Sequence, residues 1–148
     1  MAITKIRDNL FLSGSRDIND SVIEKYGITA ILNVADNART PATKFAKKYS
    51  CPFADTTLAA AERSSIATDL AEELVNNGHI ILIHCMAGSS RSPHIMALLI
   101  SRLENRKYAE VYDEIYTLRP CVMKQSLQDA IDAESWWKVL KNKQGDSR

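Results

Sequence analysis

The sequence contains no apolar run long enough to cross a membrane, and its amino terminus, MAITKIRDNLFLSG, lacks the apolar block and cleavage site of a secretory signal. Its three cysteines, Cys51, Cys85 and Cys121, are too few and too widely spaced for a disulfide framework or a zinc site. The net charge of +1 does not favour nucleic acid as a ligand. We therefore expect a protein of a reducing compartment, the cytoplasm with the nucleus as alternative, in which a thiol stays available as a nucleophile.

Internal repeats, linkers and low-complexity segments are also missing from the chain. Its 148 residues, of which 45% are hydrophobic and 25% charged, are typical of one globular domain with its own core. We expect a single domain over residues 1–148, with residues 142–148 as a polar, flexible tail. The densest basic cluster, Lys44, Lys47 and Lys48, is expected on the solvated face of a helix.

The hydrophobic pattern predicts strands that alternate with helices. The segment TKIRDNLFLSG (4–14) is typical of a hairpin that turns at Asp8 and Asn9, and further strands are predicted at 28–35, 50–54 and 79–85. Helices are predicted over six segments: 17–27, 41–48, 64–77, 92–104, 108–119 and 125–141. This alternation predicts an α/β fold in which helices flank a mostly parallel central sheet.

Small and polar residues interrupt the apolar segment HIILIHCMAGSSRSPHIMALLI (79–100). Cys85 ends the most hydrophobic strand of the chain, and Ser92 and Pro93 fit the cap and the first turn of the following helix. Ligands of parallel sheets bind beyond the carboxyl ends of the strands. The turn at this position would aim successive backbone N–H groups, and the positive end of the helix, at one point. Such an arrangement suits a phosphate-like dianion.

Three residues of this cysteine loop, residues 85–91, strengthen the prediction of an anion site. Gly88 allows the backbone to curl closely around a ligand. Arg91 cannot lose its charge, and its guanidinium offers a bidentate fork to two oxygens. The field that attracts a dianion would also stabilise a thiolate at Cys85 and lower its pKa below the free value of about 8.5.

The segment HCMAGSSRS (84–92) resembles the His-Cys-x5-Arg-Ser/Thr signature of the protein-tyrosine-phosphatase superfamily, and it is most similar to the dual-specificity branch. The similarity extends, in chain order, to LFLSG (10–14), ILNVAD (31–36) and LRP (118–120). The resemblance implies the dual-specificity-phosphatase fold and a cofactor-free enzyme that hydrolyses phosphotyrosine and phosphoserine/phosphothreonine through a phosphocysteine intermediate. Phosphorylated proteins would be its partners, without membrane or nucleic acid.

The resemblance also assigns roles to individual residues. Cys85 would be the nucleophile, Arg91 would clamp two phosphate oxygens, and Ser92 would hydrogen-bond the cysteine and assist breakdown of the intermediate. Asp55, thirty residues before Cys85, would protonate the leaving group, with Asp36 as its rival. Backbone N–H groups of the loop would complete the phosphate cradle: Met86, Ala87, Gly88, Ser89, Ser90 and Arg91.

Residues around the loop carry further predictions. His84 is expected to order the loop through hydrogen bonds, and Cys51 and Cys121 are expected to be buried, with a resolving thiol as the alternative for either. The branch usually places a Pro-Asn pair and a Phe-x-x-Gln-Leu helix start after the Arg-Pro, whereas this chain has RPCVMKQSLQDAI (119–131). The resemblance therefore implies that this protein supports its loop differently.

Other substrates and functions remain open from the sequence. Phosphoinositide phosphatases of this fold commonly carry lysines inside the loop, and RNA 5′-phosphatases typically end it in Arg-Thr-Gly, whereas this chain has MAGSSRSP. The compact chain leaves little room for the insertions that build deep phosphotyrosine pockets. A phosphoprotein-binding module without catalysis is the alternative from another class, against which Cys85, Arg91 and Asp55 argue. Sulfurtransferases and arsenate reductases also use a cysteine loop, but the run of matched segments favours a phosphatase.

Overall fold

A five-stranded sheet with helices on both faces forms the protein in the computed structural model, which describes residues 2–146. The strands are β1 (Thr4–Arg7), β2 (Leu10–Gly14), β3 (Ala30–Ala35), β4 (Lys47–Phe53) and β5 (Ile81–Cys85). The helices are α1 (Asp20–Tyr26), α2 (Thr57–Asn76), α3 (Arg91–Glu104), α4 (Tyr108–Leu118) and α5 (Leu127–Asp146). Within residues 2–146, no helix has both the length and the apolar character that crossing a bilayer requires.

The sheet has the strand order β1-β2-β5-β3-β4. Only the β1–β2 hairpin is antiparallel among these pairs, and β2, β5, β3 and β4 run parallel to one another. The predicted α/β fold with a mostly parallel sheet, and the predicted hairpin with its turn at Asp8 and Asn9, are confirmed. The carboxyl ends of four strands therefore meet at one edge, where ligands of such sheets bind.

The central strand β5 is buried along its whole length because helices cover both faces of the sheet. Ile81, Ile83 and Cys85 belong to the larger core cluster, to which α2, α3 and α4 also contribute. Leu82 points the other way, into a smaller cluster with Ile23 of α1. This alternation follows from the two-residue period of a strand, and it explains why the strand reads as one continuous apolar run.

The predicted helix at 41–48 is wrong. Residues 41–46 contain no helix, and the strand β4 begins at Lys47. The basic pattern suits a solvated helix locally, but pairing with β3 supplies nonlocal backbone hydrogen bonds and buries Cys51 and Phe53 on alternate positions. Lys44, Lys47 and Lys48 are exposed, as expected, but they lie on a strand and the segment before it.

The helix α2 begins at Thr57, seven residues before the predicted start, with the side chain of Thr56 accepting a capping hydrogen bond. Its buried face is not the one that its apolar residues alone would indicate. Ile66 is 54% exposed, whereas Ser64 and Thr68 are buried. The two hydroxyls are tolerated because the Thr68 hydroxyl donates to the Ser64 carbonyl and the Ser64 hydroxyl bonds a ring nitrogen of His94.

The carboxyl-terminal segment is more regular than expected. The helix α5 continues to Asp146, so residues 142–146 of the expected tail are helical. The last two residues, 147 and 148, lie outside the described residues.

Candidate active site

The cysteine loop connects the carboxyl end of β5 to the first turn of α3, and it lies against the end of β2. Gly88 has a φ of +71°, in the left-handed region that favours glycine. A Cβ atom at Gly88 would lie 2.5 Å from the carbonyl carbon of Ser13 and 2.7 Å from the backbone nitrogen of Gly14. The glycine is therefore required both by the conformation of the loop and by its close packing on β2.

Arg119, just after α4, holds two carbonyl groups of the loop from outside. It is fully buried, and its guanidinium donates to the carbonyls of Gly88 (2.9 Å) and Ala87 (3.3 Å). The same guanidinium donates to the carbonyl of Ala2 and the hydroxyl of Thr4, which ties the loop to the amino-terminal strand. Arg119 belongs to the LRP segment (118–120), whose resemblance to the family implied no role for this residue. Its structural role answers the question of what supports the loop.

The neighbouring carbonyls of the loop also bond outward. Met86 accepts a hydrogen bond from the backbone N–H of Ser15 (3.1 Å), and Ser89 accepts one from the backbone N–H of Met123 (2.9 Å). Because the carbonyls are held on the outside, the peptide N–H groups of the loop are turned toward its centre. This orientation is the one that a phosphate cradle needs.

The Cys85 thiol lies within this ring of N–H groups and is 3% exposed. Burial by itself raises the pKa of the Cys85 thiol. Hydrogen bonds from the Ser92 hydroxyl and from the N–H groups of Ser92, Gly88 and Ser90 outweigh burial, and the pKa is lowered. The loop therefore favours the thiolate, which is the nucleophilic form of cysteine.

Ser92 does not cap α3 as predicted. The helix begins at Arg91, with Ser90 in the cap position, and Ser92 is the second residue of the first turn. Its hydroxyl lies 3.2 Å from the Cys85 sulfur instead. Pro93 lies in the first turn as expected, where it removes no helical hydrogen bond.

Arg91 keeps part of its hydrogen-bonding capacity unused, although its side chain is only 4% exposed. Its Nη1 donates to the Asp36 carboxylate (3.1 Å) and to the Phe53 carbonyl (2.9 Å), and its Nη2 donates to the Asn37 side chain (2.8 Å). A guanidinium has five N–H donors, so the Nε–H and one Nη2–H are left. Nε is buried and bonds no atom of the residues that the structure describes. Two such donors suit two oxygens of one anion.

The two candidate acids both lie at the site but contact different groups. Asp55, between β4 and α2, accepts a hydrogen bond from the Ser90 hydroxyl of the loop (3.0 Å). Asp36, after β3, pairs with Arg91. Asp55 therefore contacts the loop that contains Cys85 and Arg91, whereas the Asp36 carboxylate forms an ion pair with the Arg91 guanidinium.

His84 orders the loop through hydrogen bonds, as expected. The ring is fully buried, and its Nδ1 lies 3.1 Å from the Cys85 carbonyl, to which it can only donate. Nε2 then accepts from the Thr40 hydroxyl at 2.8 Å. Burial lowers the pKa of His84, which keeps the imidazole in the neutral form that satisfies both partners.

The other two cysteines differ in their surroundings. Cys51 is buried, as expected, and burial raises the pKa of its thiol. Cys121 is exposed, so the prediction that it is buried is wrong. Cys51 lies on β4, two strands from Cys85 on β5, which is a separation of about 10 Å at the usual strand spacing. A disulfide does not span that distance without backbone movement, which argues against Cys51 as a resolving thiol.

No group of three or more His, Cys, Asp and Glu side chains that could hold a metal ion occurs in the described part of the chain. The groups that the site does bring together are a thiol, an arginine, a carboxyl group and a ring of peptide N–H groups. Together they suit a tetrahedral dianion above the sulfur.

Comparisons with known proteins all point to phosphatases. The family model "Dual specificity phosphatase, catalytic domain" matches residues 10–133. "Putative tyrosine phosphatase 123R" of Invertebrate iridescent virus 6 is 26% identical over 128 residues, which cover 82% of this chain and 83% of that protein. The crystal structure of human DUSP28 superposes with a TM-score of 0.77 at 18% identity, covering 91% of this chain and 96% of that one.

A second neighbour is the human tyrosine phosphatase-like serine/threonine/tyrosine-interacting protein. Its crystal structure has a TM-score of 0.73 at 20% identity and covers 94% of this chain and 98% of that one. At this identity the structural matches establish the fold, and the family model, which spans most of the chain, establishes membership. This protein belongs to the dual-specificity phosphatase family.

Proposed function

We propose that the protein hydrolyses phosphotyrosine and phosphoserine/phosphothreonine in proteins through a phosphocysteine intermediate. The observation that carries this proposal is the position of the Cys85 thiol inside a ring of peptide N–H groups, in a loop that ends at Arg91 with its two unused donors. A phosphate monoester bound there would place its phosphorus above the sulfur and its oxygens on the N–H groups and Arg91.

In the first step the Cys85 thiolate attacks phosphorus, so that an S–P bond forms and the P–O bond to the leaving group breaks. Asp55 gives its proton to the leaving oxygen. In the second step a water molecule attacks phosphorus and passes a proton to the Asp55 carboxylate, while the S–P bond breaks. The Ser92 hydroxyl, 3.2 Å from the sulfur, stabilises the departing thiolate. Inorganic phosphate and the restored enzyme result.

The exposure of the cysteine loop supports activity on phosphoserine and phosphothreonine as well as on phosphotyrosine. Met86 on the rim of the loop is 39% exposed, so the loop lies near the surface. We expect a loop that reaches the surface to admit the short arm of phosphoserine or phosphothreonine as well as the longer phosphotyrosine.

Turnover of p-nitrophenyl phosphate tests whether the protein is a metal-independent phosphatase. We expect hydrolysis that persists in EDTA, because the residues proposed for chemistry are cysteine, arginine and aspartate. Vanadate should inhibit, because it adopts the five-coordinate geometry of the phosphoryl transition state. Loss of activity in EDTA would contradict the proposal, and a panel of phosphopeptides, phosphoinositides and RNA 5′-ends then identifies the substrate class.

The variant Cys85→Ser tests the covalent mechanism. We expect turnover to disappear while binding of a phosphopeptide persists, because the N–H ring and Arg91 remain in place. Binding is measured by fluorescence anisotropy and turnover by phosphate release. Brief peroxide treatment should inactivate the wild type and a thiol should restore it, since a low-pKa cysteine oxidises readily. Turnover retained in Cys85→Ser would eliminate the phosphocysteine step.

A phosphoprotein-binding module is the second candidate, because a neighbour of the same fold is described as a phosphatase-like interacting protein. The presence of Cys85, Arg91 and Asp55 in one site favours the enzyme. One measurement separates the two candidates. If the protein is a binding module, the wild-type protein binds phosphopeptides and releases no phosphate from them.

A further inference from the structure

Positive charge is concentrated in one segment of this nearly neutral chain. Residues 37–54 contain four basic side chains and no acidic one, namely Arg39, Lys44, Lys47 and Lys48. The rest of the chain carries 15 basic and 18 acidic residues, from totals of 19 and 18, so its net charge is −3. This segment connects β3 to β4 and includes β4, which places it at the open edge of the sheet.

A cleft of about 520 Å³, which we call the basic cleft, is lined by residues of β3, of β4 and of the connection between these strands. The register pairs Asn33 with Ser50 and Ile31 with Lys48, so the side chains of Lys48 and Ser50 share the face of the sheet on which Asn33 lies. Asp36, Arg39 and Thr40, which follow β3, also line the cleft.

The basic cleft borders the phosphate site directly. Asp36 lines the cleft, and its carboxylate accepts the hydrogen bond from Nη1 of Arg91. Thr40, another lining residue, donates to His84, the residue before Cys85. A peptide whose phosphorylated residue occupies the cysteine loop would therefore have neighbouring residues beside this cleft.

The charges of the cleft are left unbalanced by the protein. The negative charge of Asp36 is offset by Arg91, whose side chain is buried. Arg39 and Lys48 are exposed in the cleft and form no ion pair within the described residues. Concave sites lined by charge of one sign attract ligands of the opposite sign, and an arginine fork matches carboxylate and phosphate groups.

We propose that the basic cleft is a second anion-binding subsite, which recognises an acidic group of the substrate close in sequence to the phosphorylated residue. The group is a carboxylate of Asp or Glu, or a second phosphate. This inference rests on the proposed function, because the primary phosphate must occupy the cysteine loop. It adds a preference that the phosphate chemistry alone does not create.

Matched phosphotyrosine peptides test the subsite. The set contains one peptide with uncharged flanks, peptides with Glu before or after the phosphotyrosine, and peptides with phosphothreonine at those positions. We expect the wild type to turn over at least one acidic peptide with a kcat/KM about 10-fold above that of the uncharged peptide. The preference should shrink as NaCl is raised, because exposed charges are screened. Glu and phosphothreonine peptides separate the two sources of the anionic group.

In the double variant Arg39→Gln, Lys48→Gln the ratio of kcat/KM for the acidic peptide to that for the uncharged peptide should be close to one. Turnover of p-nitrophenyl phosphate should be unchanged. Lys107→Gln is the matched control, because Lys107 is exposed and lies beyond the far end of α3, about 20 Å along the helix from the loop. The control should retain the full preference. Peptide Kd values, measured in the Cys85→Ser background, should show the same pattern without turnover.

The outcomes separate this inference from the function on which it rests. Turnover of all phosphopeptides with equal kcat/KM, or a preference that survives in the double variant, overturns the subsite and leaves the phosphatase intact. Failure to release phosphate from any peptide overturns the proposed function. If the double variant loses turnover of soluble inositol phosphates but keeps the wild-type preference for acidic peptides, the assignment to a protein substrate is overturned.

Discussion

Arg91 shows at the scale of one residue how a buried charge is kept ready for a ligand. Three of its five donors are bonded by Asp36, Asn37 and the Phe53 carbonyl, which hold the guanidinium in one orientation. The remaining donors do not need to reorganise when an anion arrives, and preorganised donors of this kind are the main source of electrostatic stabilisation in enzymes. Asp36 and Asn37 thus act by positioning Arg91.

Asp55 is the general acid of the proposed mechanism. We expect Asp55→Asn to lower kcat on aryl and alkyl phosphates by roughly 10²–10⁴-fold, because the leaving oxygen then departs without a proton. The basic limb of the pH profile, which reports loss of that proton, should flatten. The defect should shrink for esters with very acidic leaving groups.

Asp36→Asn is the control for this measurement, because the variant retains an oxygen that accepts a hydrogen bond from Arg91. It should show no dependence on the leaving group. If Asp36→Asn shows that dependence and Asp55→Asn does not, the acid comes from the segment after β3.

At the scale of elements, the loop is shaped by its connections to three other parts of the chain. Ser15 after β2, Arg119 after α4 and Met123 before α5 each bond a carbonyl of the loop. The family's usual Asn and Phe are not needed for this purpose, because these donors already hold the outer side of the loop.

The variant Arg119→Met tests the support of the loop. We expect the free energy of unfolding to fall by about 2–3 kcal/mol or more, because buried hydrogen bonds to a charged group are lost and the carbonyls stay unpaired. The kcat/KM for p-nitrophenyl phosphate should fall as well, since the N–H groups lose their fixed orientation. Urea unfolding and steady-state kinetics measure the two effects.

Arg102→Met is the matched control for this loss of an arginine. Arg102 is exposed and pairs with Asp69 and Glu72 at the surface of α3, where such pairs contribute about 0–1 kcal/mol. It should leave kcat/KM unchanged. An Arg119→Met protein with wild-type stability and activity would show that the loop holds its shape without the guanidinium.

At the scale of the whole molecule, His94 joins the helices that cover one face of the sheet. Its Nε2 lies 2.7 Å from the Ser64 hydroxyl of α2, and its Nδ1 lies 2.9 Å from the Tyr108 hydroxyl of α4. The Ser64 hydroxyl donates to the Ala60 carbonyl, so Nε2 donates to Ser64 and Nδ1 accepts from Tyr108. A neutral imidazole satisfies both bonds, and a charged one does not.

Stability should therefore depend on pH between about 6.5 and 4. Burial lowers the pKa of His94 to about 4 from the ordinary value of 6.5. Below pH 6.5 the unfolded chain takes up a proton that the folded protein does not, so the free energy of unfolding decreases as the pH falls, by up to about 3 kcal/mol near pH 4. The lowered pKa of His84 acts in the same direction.

Urea unfolding at several pH values between 7 and 4.5 checks this expectation. His94→Gln should be less stable at pH 7, but its stability should change less with pH than that of the wild type. The pKa values of the paired carboxyls Glu104 and Glu114 are lowered, mainly by Arg7. They add a decrease of stability only toward pH 4.5, where carboxyls of the unfolded chain begin to take up protons, and this decrease should be the same in both proteins. Equal pH dependence in both proteins would contradict the assignment to His94.

Local sequence patterns predicted most of the fold where burial is uniform along an element. The strand β5 and the helix α3 could be recognised because every residue of β5 and the first seven residues of α3 are buried, so their composition alone carries the signal. The segment 41–48 and the face of α2 could not, because strand pairing with β3 and the hydrogen bond from Ser64 to His94 are nonlocal. The stabilisation that strand pairing and this hydrogen bond provide is independent of the periodicity of the local sequence.

The sequence by itself determined the place and the form of the cysteine loop, since the strand, Cys85, Gly88, Arg91 and the start of α3 are adjacent in the chain and specify one turn. Only the tertiary structure decided what holds that turn and what aims its arginine. Arg119 reaches Gly88 across 31 residues, and Asp36 reaches Arg91 across 55. Contacts of that separation arise when strands are brought side by side in the sheet, and no spacing within a segment encodes them.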